Sequence, residues 1–422
     1  MKKQIVIVGA GFAGVQLAKN LDESLFDVLL IDKINHHQFQ PLFYQVATSQ
    51  IEPSSISFPI RNIFKGKNNI QIRLAEVLEI ISPEKKIITS IGDFHYDALI
   101  LAMGCKTNFF GNTDIPKHAL TLKTTAEAIQ IRNHVLQTFE NIISATTEQK
   151  EALFNLVIVG AGPTGVELAG AFAEIKEHVL PKDYPKIDFS KFHITLVEGS
   201  KHTLNNMSEN SKTKSQEYLQ KMGVEVLTET FVKDYNGEKL LLSTGNTILT
   251  KTVIWSAGVI ANTILGLPET AKGPGNRIVV DRMNKVLDTD GVYALGDVAY
   301  MQTPLYPKGH PQVANVAINQ AKNLAKNLKY LSANKALKEY EYNDLGSMAT
   351  IGRNKAVVDI GKFPISGYFA WLIWMFLHLM LILSVKNKLI IFINWAWAYI
   401  TKDTSLRLIL TAENNDNTKN VK

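Results

Sequence analysis

"NLVIVGAGPTGVELAGAFAE" (Asn155–Glu174) repeats the grammar of "QIVIVGAGFAGVQLAKN" (Gln4–Asn20). In each, an apolar run breaks at a glycine turn and resumes with Val, Leu and Ala at helical spacing. Gly9, Gly11 and Gly14 spell G-x-G-x-x-G, and Gly160, Gly162 and Gly165 spell it again. The first glycine permits a tight turn, the second lets the backbone approach a pyrophosphate, and the third lets helix and strand pack closely. The pyrophosphate then sits at the helix N-terminus. In the first copy, Gly9, Gly11, Phe12, Ala13 and Gly14 precede the strand "DVLLID", which ends on Asp32, 18 residues beyond the last glycine. A carboxylate there accepts the ribose hydroxyls. In the second copy, Gly160, Gly162, Pro163, Thr164 and Gly165 precede "HITLVEGS" (His193–Ser200), whose strand ends on Glu198. That acid lies farther from its glycines. The intervening "KEHVLPKDYPKIDFSKF" (Lys176–Phe192), with two prolines and several charges, reads as a surface loop. Glu198 without an adjacent arginine favours a free 2′-hydroxyl, hence NADH over NADPH.

One dinucleotide needs one such turn. Two turns predict two nucleotides, and other repeated pieces agree. "YDALILAMGCK" (Tyr96–Lys106) and "KTVIWSAGVIAN" (Lys251–Asn262) are buried strands that break at small-residue turns, carrying Ala102 and Gly104 in one and Gly258 in the other. The symmetry breaks at "TDGVYALGDVAY" (Thr289–Tyr300), where a strand delivers Gly296 and Asp297 to a sharp turn. The expected fold is α/β: two Rossmann-like dinucleotide-binding domains, one inserted in the other, followed by a C-terminal membrane-associating helical segment. The boundaries fall at 1–118 plus 276–330 for the outer domain, 119–275 for the inserted one, 331–412 for the C-terminal region, and 413–422 for a disordered polar tail.

Bulk composition narrows the chemistry. The 422 residues suffice for two or three domains, and 46% hydrophobic content supports a large core. The net charge of +6 is spread along the chain and is compatible with an anionic membrane surface. No basic aromatic module of the kind that reads nucleic acid is present, so no nucleic-acid partner is expected. Cys105 is the only cysteine. That excludes an internal disulfide framework, a cysteine-based zinc cluster and a catalytic dithiol pair; no metal is expected. The first apolar run leads straight into a glycine turn, so it reads as a strand rather than a signal peptide, and residence in the cytoplasm or on a cytoplasmic face is expected.

The Gly296–Asp297 turn, downstream of two nucleotide turns, resembles the motif by which flavoproteins with two dinucleotide-binding domains hold FAD. The resemblance implies non-covalent FAD on the outer domain and NADH on the inserted one. It tightens at "HHQFQPLFYQVATSQIEPSSISFPIRNIF" (His36–Phe64), above all "PLFYQVAT" (Pro41–Thr48), which is similar to the segment after the second strand of type II NADH:quinone oxidoreductases, the non-pumping NADH dehydrogenases of respiratory chains. That likeness places Gln45, Val46, Ala47 and Thr48 along the flavin and adds Val77 and Ala314 to its contacts. An aromatic helix packed into the core would explain Phe43 and Tyr44 equally well. In "GHPQVANVAINQAKNLAKNL" (Gly309–Leu328), the family's A-Q-x-A-x-Q reads Ala314-Asn315-Val316-Ala317-Ile318-Asn319. The quinone-lining glutamines are therefore asparagines, one methylene shorter with the same donor and acceptor pair. Gln320 stands about 100° further round the helix. Buried amides capping that helix are the structural alternative. Glu167, in "GVELAG", corresponds to the family's acid beside the nicotinamide and flavin; a plain helix-dipole acid is the simpler reading. Glu174 reads as a surface acid. Glu167, Asn315, Asn319 and Gln320 are thus the catalytic candidates.

The expected reaction is FAD-dependent oxidation of NADH with two-electron reduction of a membrane quinone, menaquinone or ubiquinone, without proton pumping. Two other readings stay open: an NADH-dependent reductase of a small redox protein, and a membrane-recruited NADH sensor.

"FAWLIWMFLHLMLILSVKNKLIIFINWAWAYITKD" (Phe369–Asp403) marks the sharpest change in composition. Its continuously apolar part falls short of the roughly 20 residues that span a bilayer. Trp371, Trp374, Trp395, Trp397 and Tyr399 are residues that favour the water–lipid interface, and Lys386 and Lys388 could reach headgroups. A monotopic anchor on the cytoplasmic face of the inner membrane is favoured over a transmembrane hairpin. A homodimer interface would use the same apolar terminus. His378 reads as a core or interface histidine.

Overall fold

Lys3–Val8 pairs in parallel with Phe26–Asp32 on one side and Ala98–Leu101 on the other; Ile70–Leu74 and Val292–Ala294 complete a five-stranded parallel sheet. Ile5, Val6, Ile7 and Val8 are all buried, because helices or loops cover both faces of such a sheet. The computed structural model describes residues 1–404 and 406–410; the tail expected at 413–422 lies outside the described residues. This sheet belongs to a unit made of Met1–Gln38, Ser57–Asn108 and Val259–Asp344. One of its faces carries the helix Phe12–Asn20, which packs through Leu17 and Ala18 into a core shared with Ala321, Leu324 and Ala325 of the helix Ala314–Ser332.

The second unit comprises Phe39–Ile56, Phe109–Gly258 and the chain from Leu345 onward. Its parallel sheet has the order Leu120–Thr121, Thr252–Trp255, Asn155–Val159, His193–Val197, Val224–Leu227. Each glycine-turn strand thus occupies the same central place in its own sheet, and the duplication read from sequence is a duplication of topology. The insertion Lys176–Phe192 departs from expectation. The helix Pro163–His178 runs into it, and Leu180, Phe189 and Phe192 are buried. Apolar residues at those points hold it against Phe139, so it is a packed segment rather than a surface loop.

The C-terminal part opens with an antiparallel sheet that composition alone gives no reason to expect: Ser347–Gly352, Lys355–Ile360 and Phe363–Ser366. Its first strand lies against the helix Pro163–His178 so closely that a Cβ on Gly170 would come within 1.7 Å of the Ile351 carbonyl oxygen. Two helices follow, Tyr368–Leu381 and Val385–Thr401. Among the described residues no helix is long and apolar enough to cross a membrane. The five aromatic residues expected at a lipid interface divide. Trp397 and Tyr399 are exposed, but Trp374 and Trp395 are 1% and 8% exposed, because they pack beside Tyr44 and Gln45. His378 stacks on Trp374 with ring centroids 4.0 Å apart, and burial lowers it to about 4.

Candidate functional site

In the first unit the glycine turn is closed from within and open outward. A Cβ on Gly14 would fall 1.8 Å from the Gly9 carbonyl oxygen, so this position admits no side chain, whereas one on Gly11 would meet nothing within 4 Å. The open space faces the start of the helix Phe12–Asn20, where the helix dipole favours an anion. Asp32 reaches back, its Oδ2 accepting the Ala10 N–H at 2.5 Å and its Oδ1 the Ile34 N–H at 2.9 Å. Burial pushes the Asp32 carboxyl up, and those amide donors oppose the rise. Phe12 and Ala13 form the first helical turn; Ala102 donates its N–H to the Val8 carbonyl; Gly104 follows with φ +67°, and Val77 begins the strand Val77–Ile81.

The Gly296–Asp297 turn is held from two sides. Gly296 donates its N–H to Gln320 Oε1 at 2.7 Å, and the Cys105 thiol donates to Asp297 Oδ2 at 2.9 Å. Gln312 Nε2 donates to the Asp297 carbonyl at 3.0 Å. Gln320 is fully buried and its Nε2 has no partner, whereas Ala314, Asn315 and Asn319 on the same helix are half-buried. A buried amide nitrogen left unpaired beside an open phosphate cradle is the arrangement expected of a protein that closes around a dinucleotide.

The second unit repeats the cradle. Glu198 Oε2 accepts the Ala161 N–H at 2.6 Å, as Asp32 does with Ala10, and its Oε1 accepts from Ser200 at 2.7 Å. A Cβ on Gly162 would meet nothing within 4 Å, Pro163 opens the helix, and Thr164 is exposed beside Gly165. Gly258 turns with φ +67° against the Phe110 ring.

Further along the same helix, Glu167 lies at the buried end of an aromatic cleft lined by Tyr44, Trp371, Trp374 and Trp395. It is 7% exposed and accepts the Thr350 N–H at 3.5 Å. Desolvation raises the carboxyl to about 8, so it holds a proton at neutral pH. The Thr350 amide counts against that rise, and so does the nearby Trp374 indole, whose N–H meets no partner in good hydrogen-bond geometry. Gln45 shares the cleft: its Oε1 accepts the Trp395 indole N–H at 2.8 Å and its Nε2 donates to Tyr44 at 2.8 Å. Val46, Ala47 and Thr48 complete the buried segment, with Thr48 Oγ1 donating to the Tyr44 carbonyl.

Glu174 is a half-buried cleft residue rather than a surface acid. It lines the same cleft and accepts the Arg353 N–H at 2.5 Å. Seven residues are two helical turns, so spacing alone puts it on the face of Glu167. Trp374, Trp395 and Thr350 were missed as site residues, since nothing local distinguishes them from neighbours in an apolar run.

Two family descriptions match the chain: Pyridine nucleotide-disulphide oxidoreductase over residues 3–321 and NDH2 C-terminal domain over residues 345–402. A Type II NADH:quinone oxidoreductase of Mycobacterium tuberculosis, Ndh, is 34% identical across 95% of this chain and 89% of its own length. A second from the same organism, NdhA, is 32% identical across 94% and 87%. In fold, the chain superposes on NDH2 from Plasmodium falciparum, solved with NADH, with a TM-score of 0.88 over 97% of this chain and all of that one, at 21% identity. The fold and the paired cradles define a pyridine nucleotide-disulphide oxidoreductase. Within that class the chain belongs to the type II NADH:quinone oxidoreductases.

Proposed function

We propose that this chain oxidises NADH and passes two electrons to a membrane quinone through FAD, without pumping protons. The observation that carries the reading is the repeated cradle: two parallel sheets that share a four-strand core order, each with an open glycine turn and an acid anchored to it. Two nucleotides in a chain with a single cysteine leave no dithiol to receive the electrons. FAD fits the first unit, held by the Gly9–Gly14 turn, Asp32 and the Gly296–Asp297 turn, with the unpaired Gln320 Nε2 available to it. NADH fits the second, where Glu198 binds the adenosine ribose and Glu167 stands near the nicotinamide. When bound, FAD accepts a hydride and releases electrons to the quinone. The protein supplies placement, and Asn315 and Asn319 offer amides to the quinone.

On this reading the FAD-binding domain runs over 1–118 plus 276–330, the NADH-binding domain over 119–275, and the C-terminal anchoring region over 331–412. The exposed apolar residues of the last two helices, among them Phe369, Phe376, Phe392, Ile393 and Trp397, support an anchor lying in one leaflet at the cytoplasmic face of the inner membrane. A second copy packed on that face would make a homodimer.

The test is anaerobic. The detergent-purified protein is reduced with NADH, and flavin absorbance is followed as a short-chain quinone is added. Bleaching followed by quinone-driven recovery at catalytic speed is expected. Bleaching without recovery would remove the quinone from the reading, and no bleaching would remove the redox role of the paired cradles.

A further inference from the structure

Glu167, Ala171, Glu174 and His178 follow one another at spacings of four, three and four along the helix Pro163–His178, and all four line the aromatic cleft. Such spacing places them on one helix face. Along that face burial decreases: Glu167 and Ala171 are buried, Glu174 and His178 are half-buried. Ala171 leaves the stripe open between the two acids. Beyond them the cleft is lined by Arg353, Lys402, Asp403 and Thr404, of which Lys402 is exposed. Its other walls close rather than conduct: Tyr44, Trp374 and Trp395 are buried rings.

The reaction proposed above has a proton requirement that this geometry meets. NADH delivers a hydride, which is two electrons and one proton, whereas a quinol takes up two electrons and two protons. The balance is NADH + H⁺ + quinone → NAD⁺ + quinol, so one proton per turnover comes from water. We propose that Glu174 and His178 form the route by which that proton passes from solvent to Glu167. The inference rests on the proposed reading and adds a path to it. The polar groups of the cleft, with Thr350 and Gln50 among them, give ordered water the several partners it needs. Tyr44 packs close to Glu167, and its phenol is held well above its ordinary value by burial and by the Glu167 charge, so it does not compete; at the outer end Glu177 faces His178, Oε1 to Nε2 3.9 Å. His378 reaches Trp374 from the far side and is neutral, with Nδ1 against the Trp374 carbonyl at 2.8 Å.

The experiment uses the detergent-purified holoenzyme and a water-soluble quinone analogue. Glu174→Gln, His178→Ala and the double variant are compared with Glu151→Gln, an exposed carboxylate outside the cleft; Glu177 does not serve, because its Oε1 stands 3.9 Å from His178 Nε2. The double variant is expected to lose about tenfold in quinone-dependent kcat at pH 8 and less at pH 6, with a larger solvent deuterium effect. Imidazole is expected to restore the His178→Ala loss, which a merely structural defect would not allow, and Glu151→Gln to behave as the parent. Unchanged pH profiles and isotope effects in the double variant, or a His178→Ala loss that imidazole leaves untouched, would overturn the route. If the parent itself shows no quinone-driven turnover, the underlying reading falls and the route with it.

Discussion

Trp395 donates its indole N–H to the Gln45 side-chain carbonyl at 2.8 Å, joining residues 350 positions apart. Both are buried, and the Gln45 amide nitrogen is already committed to Tyr44. Trp395→Phe keeps a ring but leaves the buried Gln45 oxygen without its donor, at a cost of about 1–3 kcal/mol. A lower Tm and a several-fold rise in apparent quinone KM are expected from thermal melting and steady-state assays. An unchanged Tm would mean that the pair contributes nothing.

Glu167 ties stability to pH with a definite sign. Its carboxyl is raised from 4.5 to about 8 in the folded chain, so the stability it contributes is full below about pH 4.5 and is lost as pH rises through 8. Glu167→Gln removes that loss. Its Tm should exceed the parent's by more at pH 8 than at pH 5, by the equivalent of a few kcal/mol. In the same series, parental quinone-dependent kcat falls above about pH 8, and the variant is slower throughout without that break. Parallel Tm curves would show that the carboxyl ionises normally.

Gly170 sets how closely the C-terminal sheet approaches. A methyl group there would overlap the Ile351 carbonyl, so Gly170→Ala forces the strand Ser347–Gly352 outward. Overpacking of this kind costs about 1–3 kcal/mol, and more against rigid backbone. Faster limited proteolysis at or after Leu345 is the expected signature. Parental protease resistance would refute the contact.

On the proposed reading Glu198, anchored to the Ala161 N–H, binds the adenosine ribose. Glu198→Ala should cut kcat/KM for NADH about tenfold while changing NADPH little, because only NADH presents the free hydroxyl. An unaltered NADH-to-NADPH ratio would show that specificity is set elsewhere.

Much of this architecture is legible in the sequence because its signals are local. Gly9 and Gly160, with Asp32 and Glu198 at the ends of the following strands, announce two copies of one unit, and four strands of each sheet follow the same order; the fifth differs, Val292–Ala294 closing one sheet from late in the chain and Leu120–Thr121 the other from ahead of its glycine turn. The cleft was harder to see because it is assembled from afar. Tyr44, Glu167, Thr350 and Trp395 come from four separate stretches of chain. Trp374 sits in an apolar run where inward and outward residues look alike, and only packing against Tyr44 separates it from exposed Phe376. Glu174 is the exception: a count of seven from Glu167 puts it on the same face, a local signal that its reading as a surface acid overlooks.

The interleaving of the two units bears on how the chain is made. It passes from one unit to the other after residues 38, 56, 108, 258 and 344. The first sheet lacks an edge until Val292–Ala294 has been synthesised, and Gly170 lacks its covering strand until Ser347–Gly352 has followed. At about 5–20 residues per second, the opening strand waits roughly 15–60 s on the ribosome before its sheet can close. During that interval Ile5 and Ile7, though flanked by Phe26–Asp32 and Ala98–Leu101, still lack the cover of Ala321, Leu324 and Ala325. Nascent chains of this protein should therefore be clients of ribosome-associated chaperones, released only when the last third has emerged.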